Sequence, residues 1–189
     1  MTFAPVVIRN VIKEYMDLPD QNVYIRNSNF KSVDKPNEIY VSVGMTNSTV
    51  YSSESKVYLD GSDNLFEETA ITTDELITID IYSMVDNDYM NSLYTRKYEV
   101  IQALNSLGSN QAEDENEIKI VKFPESIIDN SEELAGQQLL RYTIDVRCLV
   151  GNVKVKAIDP SVNAIYTSFQ AVIKDDNSKT QDIDIEVKI

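Results

Sequence analysis

Histidine and tryptophan are absent from the 189 residues, and cysteine occurs once. Without imidazole the chain cannot build a histidine-based triad, a histidine acid–base pair or a zinc site with imidazole ligands. The lone thiol, Cys148, rules out an intrachain disulfide. Its place in the alternating run Leu140 to Val150 reads as a buried thiol rather than a nucleophile. Glycine is also scarce: those at 44, 61, 108, 136 and 151 form neither a phosphate cradle nor a dinucleotide fingerprint. No apolar run approaches the length that crosses a membrane. The start, MTFAPVVIRN, lacks a basic segment leading into a long apolar core, which argues against secretion. A soluble protein made in the cytoplasm is expected.

Positive charge is in short supply. Seventeen Lys and Arg stand against 31 Asp and Glu, a formal charge of -14. Such a surface repels phosphates broadly, so weak intrinsic DNA affinity is expected, although DNA can still pass nearby. The acidity serves either solubility or a specific electrostatic role. At 42% hydrophobic residues the chain is of ordinary globular composition and long enough to close a core.

The stretch from Glu75 to Leu107 organises the rest. Ile77, Ile79 and Ile81 alternate with Thr78, Asp80 and Tyr82, the pattern of a half-buried strand. Beyond Met84, residues Met90, Leu93, Tyr94, Ile101, Leu104 and Leu107 fall in one apolar arc of a helix, with Ser92, Arg96, Glu99 and Gln102 outside it. Lys97 lies within the arc, where its stem can cover apolar neighbours while the ammonium reaches water. Asp86 or Asn87 is the expected N-cap, with Asp88 favourable to the helix dipole and Gly108 the terminator. The helix would be about 19 residues long, roughly 28 Å.

Before this stretch, Val7, Ile8, Val11, Ile12 and Tyr15 recur at three and four, predicting a helix from about Phe3 to Met16 with Pro5 in its first turn. Arg9, Lys13 and Asn10 form a small basic patch on its polar side, read as a solvated face. Val23 and Ile25 mark a short strand, and Ile39, Val41 and Val43 another. The polar stretch that follows, with Val50, Val57 and Leu59 as anchors and DGSDN as a turn, reads as an irregular strand or long hairpin.

After Gly108, SNQAEDENE reads as a solvated, mobile acidic connection. IKIVKF is a strand, and PESIIDNSEELAGQQ a loop with one turn. LLRYTIDVRCLVG is the clearest strand: Leu140, Tyr142, Ile144, Val146, Cys148 and Val150 face the core. Arg141, Asp145 and Arg147 on its other side point to cross-strand or cross-subunit pairing, or to a solvated face. From Val153 to Ile189 further strand patterns form a terminal antiparallel extension. Ile79, Ile101, Leu104, Ile144 and Val146 are the expected core.

Catalytic groupings are sparse. The pairs Glu67–Glu68 and Glu132–Glu133 lie in polar connectors and read as solvated surface. Asp60, Ser62, Asp63 and Asn64, and again Asp175, Asp176, Asn177 and Asp182, could attract calcium, but neither run has the spacing of a calcium-binding helix-loop-helix. The reading is of a protein that is not an enzyme, with no catalytic, cofactor-binding or metal residues assigned and no cofactor.

The order PVVIRNVIKEYM, then ITIDIYSMVDNDYMNSLYTRKYEVIQALNSL, then LLRYTIDVRCLV resembles that of tailed-bacteriophage tail terminator and neck proteins, including the gp12-like neck terminator group. The similarity covers most of residues 3–151. It implies an α+β fold: a mainly antiparallel sheet flanked by two principal helices in a domain spanning 1–151, with residues 152–189 a C-terminal β extension packed on the same domain or a neighbouring subunit. It further implies a homohexameric ring in the virion, at the head–tail junction, made in the host cytoplasm. The partners implied are further copies of the chain, the tail tube protein and a neck or head-completion protein. DNA would pass through the channel without specific binding, and no membrane is involved. The stretch Val50 to Leu59, the connector Pro124 to Gln138 and the strand Ile183 to Ile189 are the candidate contact elements. A baseplate or neck accessory and a tyrosine-rich ligand-binding module are the alternatives.

Overall fold

Apolar residues spaced at three and four near the start form helix α1, Ala4–Tyr15, with Pro5 in the first turn, where a missing N–H costs nothing. Val7, Ile8, Val11 and Ile12 are buried along one stripe. The helix stops where Asp17 takes a left-handed conformation (φ 51°) and the Leu18 N–H reaches back to the Lys13 carbonyl at 3.0 Å. The computed structural model describes residues 3–26, 38–60, 62, 64–85, 90–134 and 137–158.

Among the described residues the architecture is mixed α/β, with three α-helices and a mostly antiparallel sheet of seven strands. Strand β1, Val23–Ile25, pairs in parallel with β2, Tyr40–Leu59, placing Val23 beside Val41. Next to β2 lies β3, Leu65–Val85, and next to β3 lies β7, Gln137–Ala157. The other edge of β7 is taken in turn by β4, Ile118–Ile120, β5, Ser126–Asp129, and β6, Glu132–Leu134, all antiparallel. The apolar sides of β2, β3, β4 and β7 (Val41, Val43, Ile77, Ile79, Ile81, Ile118, Ile120 and Ile144 among them) share one core with α1 and with α2, Met90–Leu104. Of the expected core, Ile79, Leu104, Ile144 and Val146 are buried, while Ile101 is only partly so.

Several expectations are corrected. The single long helix is two, because Asn105 and Ser106 break it. The Asn105 side chain donates to the Ile101 carbonyl at 2.8 Å, and the Ser106 hydroxyl accepts the Ser109 N–H at 3.1 Å. Helix α3, Leu107–Asn116, therefore begins where Gly108 was expected to end one, and Leu107 is exposed rather than core. The acidic connection is this helix. Glu113 is buried in it, paired with Lys119 at 2.6 Å and with Lys122, whose ammonium also donates to the Leu104 carbonyl at 2.8 Å. A buried acid held by two cations thus ties α3 to β4 and to Lys122, two residues beyond it.

PESIIDNSEELAGQQ supplies β5 and β6 instead of a loop, since β7 offers an unfilled edge whose amides and carbonyls need partners. The two strand patterns around Val43 and Val50 are one continuous strand, β2. Lys97 is buried as a residue, and its ammonium lies against rings, 3.9 Å from the Tyr94 ring centroid and 4.1 Å from that of Tyr142. Those ring faces attract the cation. Tyr94, expected in the apolar arc, is half exposed beside it. The caps at Asp86, Asn87 and Asp88 and the strand Ile183 to Ile189 lie outside the described residues.

The chain divides into two compact units, one of 1–53 and 70–152, the other of 54–69 and 153–189. Within the second, the Ile158 N–H donates to the Leu65 carbonyl at 2.9 Å and Tyr58 stacks on Phe66 at 5.9 Å between centroids.

Candidate functional site

The sheet side opposite the helices carries a row of polar residues at alternate strand positions. Its centre is Asp80, whose side chain is 3% exposed. Arg26, just past β1, donates to Asp80 Oδ2 at 2.7 Å, and Arg141 donates through Nη2 to Oδ2 at 2.9 Å and through Nε to Oδ1 at 3.2 Å. The Thr143 hydroxyl donates to Oδ1 at 2.6 Å. Strands β2, β3 and β7 all contribute, together with Arg26 just past β1, since Ser42 adds a longer contact of 3.4 Å. Along the same side, Asp145 accepts the hydroxyls of Thr78 at 2.7 Å and Ser126 at 3.1 Å. Arg147 pairs with Asp74 at 3.1 Å and with Glu125 at 2.5 Å.

The mixed charges on β7 are therefore used in cross-strand pairing inside the chain. Beside them Tyr40 stacks on Tyr82 at 5.8 Å between centroids, with Tyr24 edge-on to Tyr82. Burial, with Asp80 nearby, pushes the Tyr24 hydroxyl up to about 12.

The first of the candidate contact elements has a distinctive environment. Every residue of β2 from Met45 to Leu59 is exposed. Adjacent strand residues point to opposite faces, yet Val50 and Tyr51 are 67% and 70% exposed. Neither face is covered there. In the second unit Val57, Tyr58 and Leu59, with Val153 and Val155, are likewise exposed. The second element, the connector Pro124 to Gln138, carries β5 and β6, and its Ile127 and Ile128 are exposed on adjacent positions.

The other singled-out residues have local partners. Arg9 and Lys13 both hold Asp20, at 2.6 and 3.0 Å, and Arg9 also donates to the Val23 carbonyl at 2.9 Å. That patch pins the turn before β1, and the hydrogen bonds from Lys13 and Arg9 hold the Asp20 carboxyl below its ordinary value. Asp60 accepts the backbone N–H groups of Ser62 and Asn64, both at 2.8 Å, so its carboxylate closes the hairpin turn. Asp63 and the run from Asp175 to Asp182 lie outside the described residues. Glu68 pairs with Lys56 at 2.7 Å, and Glu67 accepts the Ser55 hydroxyl at 3.4 Å. Glu132 and Glu133 are exposed on β6, opposite Leu139 and Gln138. Among the described residues no three Cys, Asp or Glu side chains are grouped to hold a metal ion. Cys148 is buried, and burial pushes its thiol up to about 12.

Sequence reasoning missed the Asp80 network, Glu113 and the tyrosine-faced Lys97. An acid between Ile79 and Ile81 was a signal in itself, but its partners on β7 and past β1 depend on strand order. No family model matches the sequence, and no curated protein is significantly similar to it.

Proposed function

We propose that this chain is a non-enzymatic virion structural protein whose copies form a ring at the head-proximal end of a phage tail, capping the tube and joining it to the neck. The observation that carries the reading is the stretch of β2 around Val50 and Tyr51, open on both faces. A sheet segment gains its stability by burying at least one face, and neither side of this one has a covering layer among the described residues. Covering Val50 or Tyr51 would contribute roughly 1.5–3 kcal/mol each. Repeated self-contacts satisfy such surfaces in every copy at once and close when the rotation between copies closes. The resemblance drawn from the order of the segments supports the ring being a tail terminator, homohexameric, with the tail tube protein below and a neck or head-completion protein above.

The acidity has a use in this setting. Carboxylates on a channel wall repel DNA phosphates, so DNA passes without sticking. The mechanism is geometric: subunit contacts complete the ring, end tube growth and present a different surface to the neck.

Electron cryo-microscopy of assembled particles, with this chain labelled, tests the reading. A ring at the head-proximal end of the tube is expected; sparse peripheral copies or a baseplate location would overturn it. Deleting the chain should give particles defective in head–tail joining.

A further inference from the structure

Helices α1 and α3 bound a groove of about 720 Å³. Phe3, Val6 and Val11 line one wall, and Leu107 and Ala112 the other. Phe3, Val6 and Leu107 are 45%, 41% and 73% exposed, so the two walls carry large apolar side chains that the fold itself leaves uncovered. The α1 wall runs from Phe3 to Tyr15, about 18 Å at the helical rise, which matches some three turns of a helix laid alongside. Two further lining residues, Glu14 and Glu115, are exposed acids that form no ion pair among the described residues.

We propose that this groove receives an amphipathic helix of another protein, with an apolar ridge seated between α1 and α3 and Lys or Arg beside the ridge to meet Glu14 and Glu115. Such a helix reads a groove through anchors at three- and four-residue spacing. Charge selects the occupant. Every copy of this chain carries -14, and residues 159–189 hold twice as many acids as lysines, so neither a second copy nor that segment is complementary to two free carboxylates. A basic helix is. This surface is separate from the open stretch of β2, and the inference stands whether or not the chain forms a ring.

The test uses the full chain and two labelled synthetic helices of about 15 residues with the same leucine ridge, one flanked by lysines and one by glutamates. Fluorescence anisotropy should give the lysine peptide an affinity at least about tenfold higher. The exposed positions Val6 and Leu107 tolerate change, so V6E and L107E should abolish binding with the circular dichroism spectrum intact. Replacing Glu14→Lys and Glu115→Lys together should reverse the preference. The proposal is overturned if the lysine peptide fails to bind, if it binds V6E and L107E as well as the parent, or if a ridge-scrambled lysine peptide binds equally. It is overturned too if L107E instead dissolves self-association that the peptide competes with, since the occupant is then a second copy.

Discussion

A Cβ built on Gly44 would stand 2.7 Å from the Arg26 Cβ and 3.0 Å from its Cδ. Glycine at this position is what lets the Arg26 stem cross β2 closely enough to reach Asp80. Gly44→Ala should cost about 1 kcal/mol and Gly44→Val about 3, the range for overpacking a closed site. Urea unfolding at constant m-value checks this. The Arg26→Gly change, which removes the Cβ together with the stem, should relieve much of the penalty of Gly44→Ala, a coupling that a double-mutant cycle reads directly.

Asp80 is the shared acceptor of two guanidiniums and a threonine. Removing a buried partner leaves the others uncompensated, so Asp80→Ala should lose about 3 kcal/mol, held to the low end because both arginines are about one-third exposed and can rehydrate. Arg141→Ala should cost less, since Arg26 and Thr143 still serve the carboxylate. Thermal unfolding of the two variants ranks them.

Glu113 has two cationic partners of unequal standing. Lys122→Met strips the buried carboxylate of its less exposed partner and frees the Leu104 carbonyl, and should cost roughly 2 kcal/mol. Lys119→Met, at a largely exposed ammonium, should leave the unfolding midpoint almost unchanged.

Burial raises the Cys148 thiol from about 9 to about 12 and the Tyr24 hydroxyl from about 10 to about 12. The folded chain therefore holds protons that the unfolded chain releases. Stability from both groups is full below about pH 9 and falls as the pH rises toward 12, by up to about 1.4 kcal/mol per pH unit for each group. Urea titrations between pH 8 and 11 should show the midpoint moving down. Alkylation of Cys148 at pH 8 should be slow when folded and fast in denaturant; equal rates would contradict the burial.

Tyr51→Asp and Val50→Asp touch no core contact. Each should change stability by no more than about 0.5 kcal/mol while preventing assembly into rings. Analytical ultracentrifugation of wild-type and variant chains, alone and with tail tubes, separates the two effects.

Periodicity made most of the scaffold legible. The apolar alternation of Ile77 to Ile81 and of Leu140 to Val150, and the spacing of Val7 to Ile12, are local patterns that fix which side is buried. What escaped was non-local. Whether SNQAEDENE is a helix depends on Lys119 and Lys122 receiving Glu113, and whether SIID is a strand depends on β7 having an edge to fill. Lys97 was placed in the apolar arc, but the rings that retain its ammonium come partly from β7. Of the candidate contact elements, the exposure of Val50 to Leu59 was legible because its apolar anchors sit in a serine-rich stretch that has little else to bury. The groove between α1 and α3 had no signal, because α3 itself did not.

Strand β7 is the described strand that meets β3 on one edge and β4, β5 and β6 on the other, and it follows all of them along the chain. Synthesis from the N-terminus delivers those partners before the element that joins them. At roughly 5–20 residues per second, the inner edge of β3 waits for seconds as a nascent strand with no neighbour. The serines and charges that stud β2 and β3 around Ser52 to Glu68 then act as guards against wrong pairing on the ribosome, before any copy of the protein has met another.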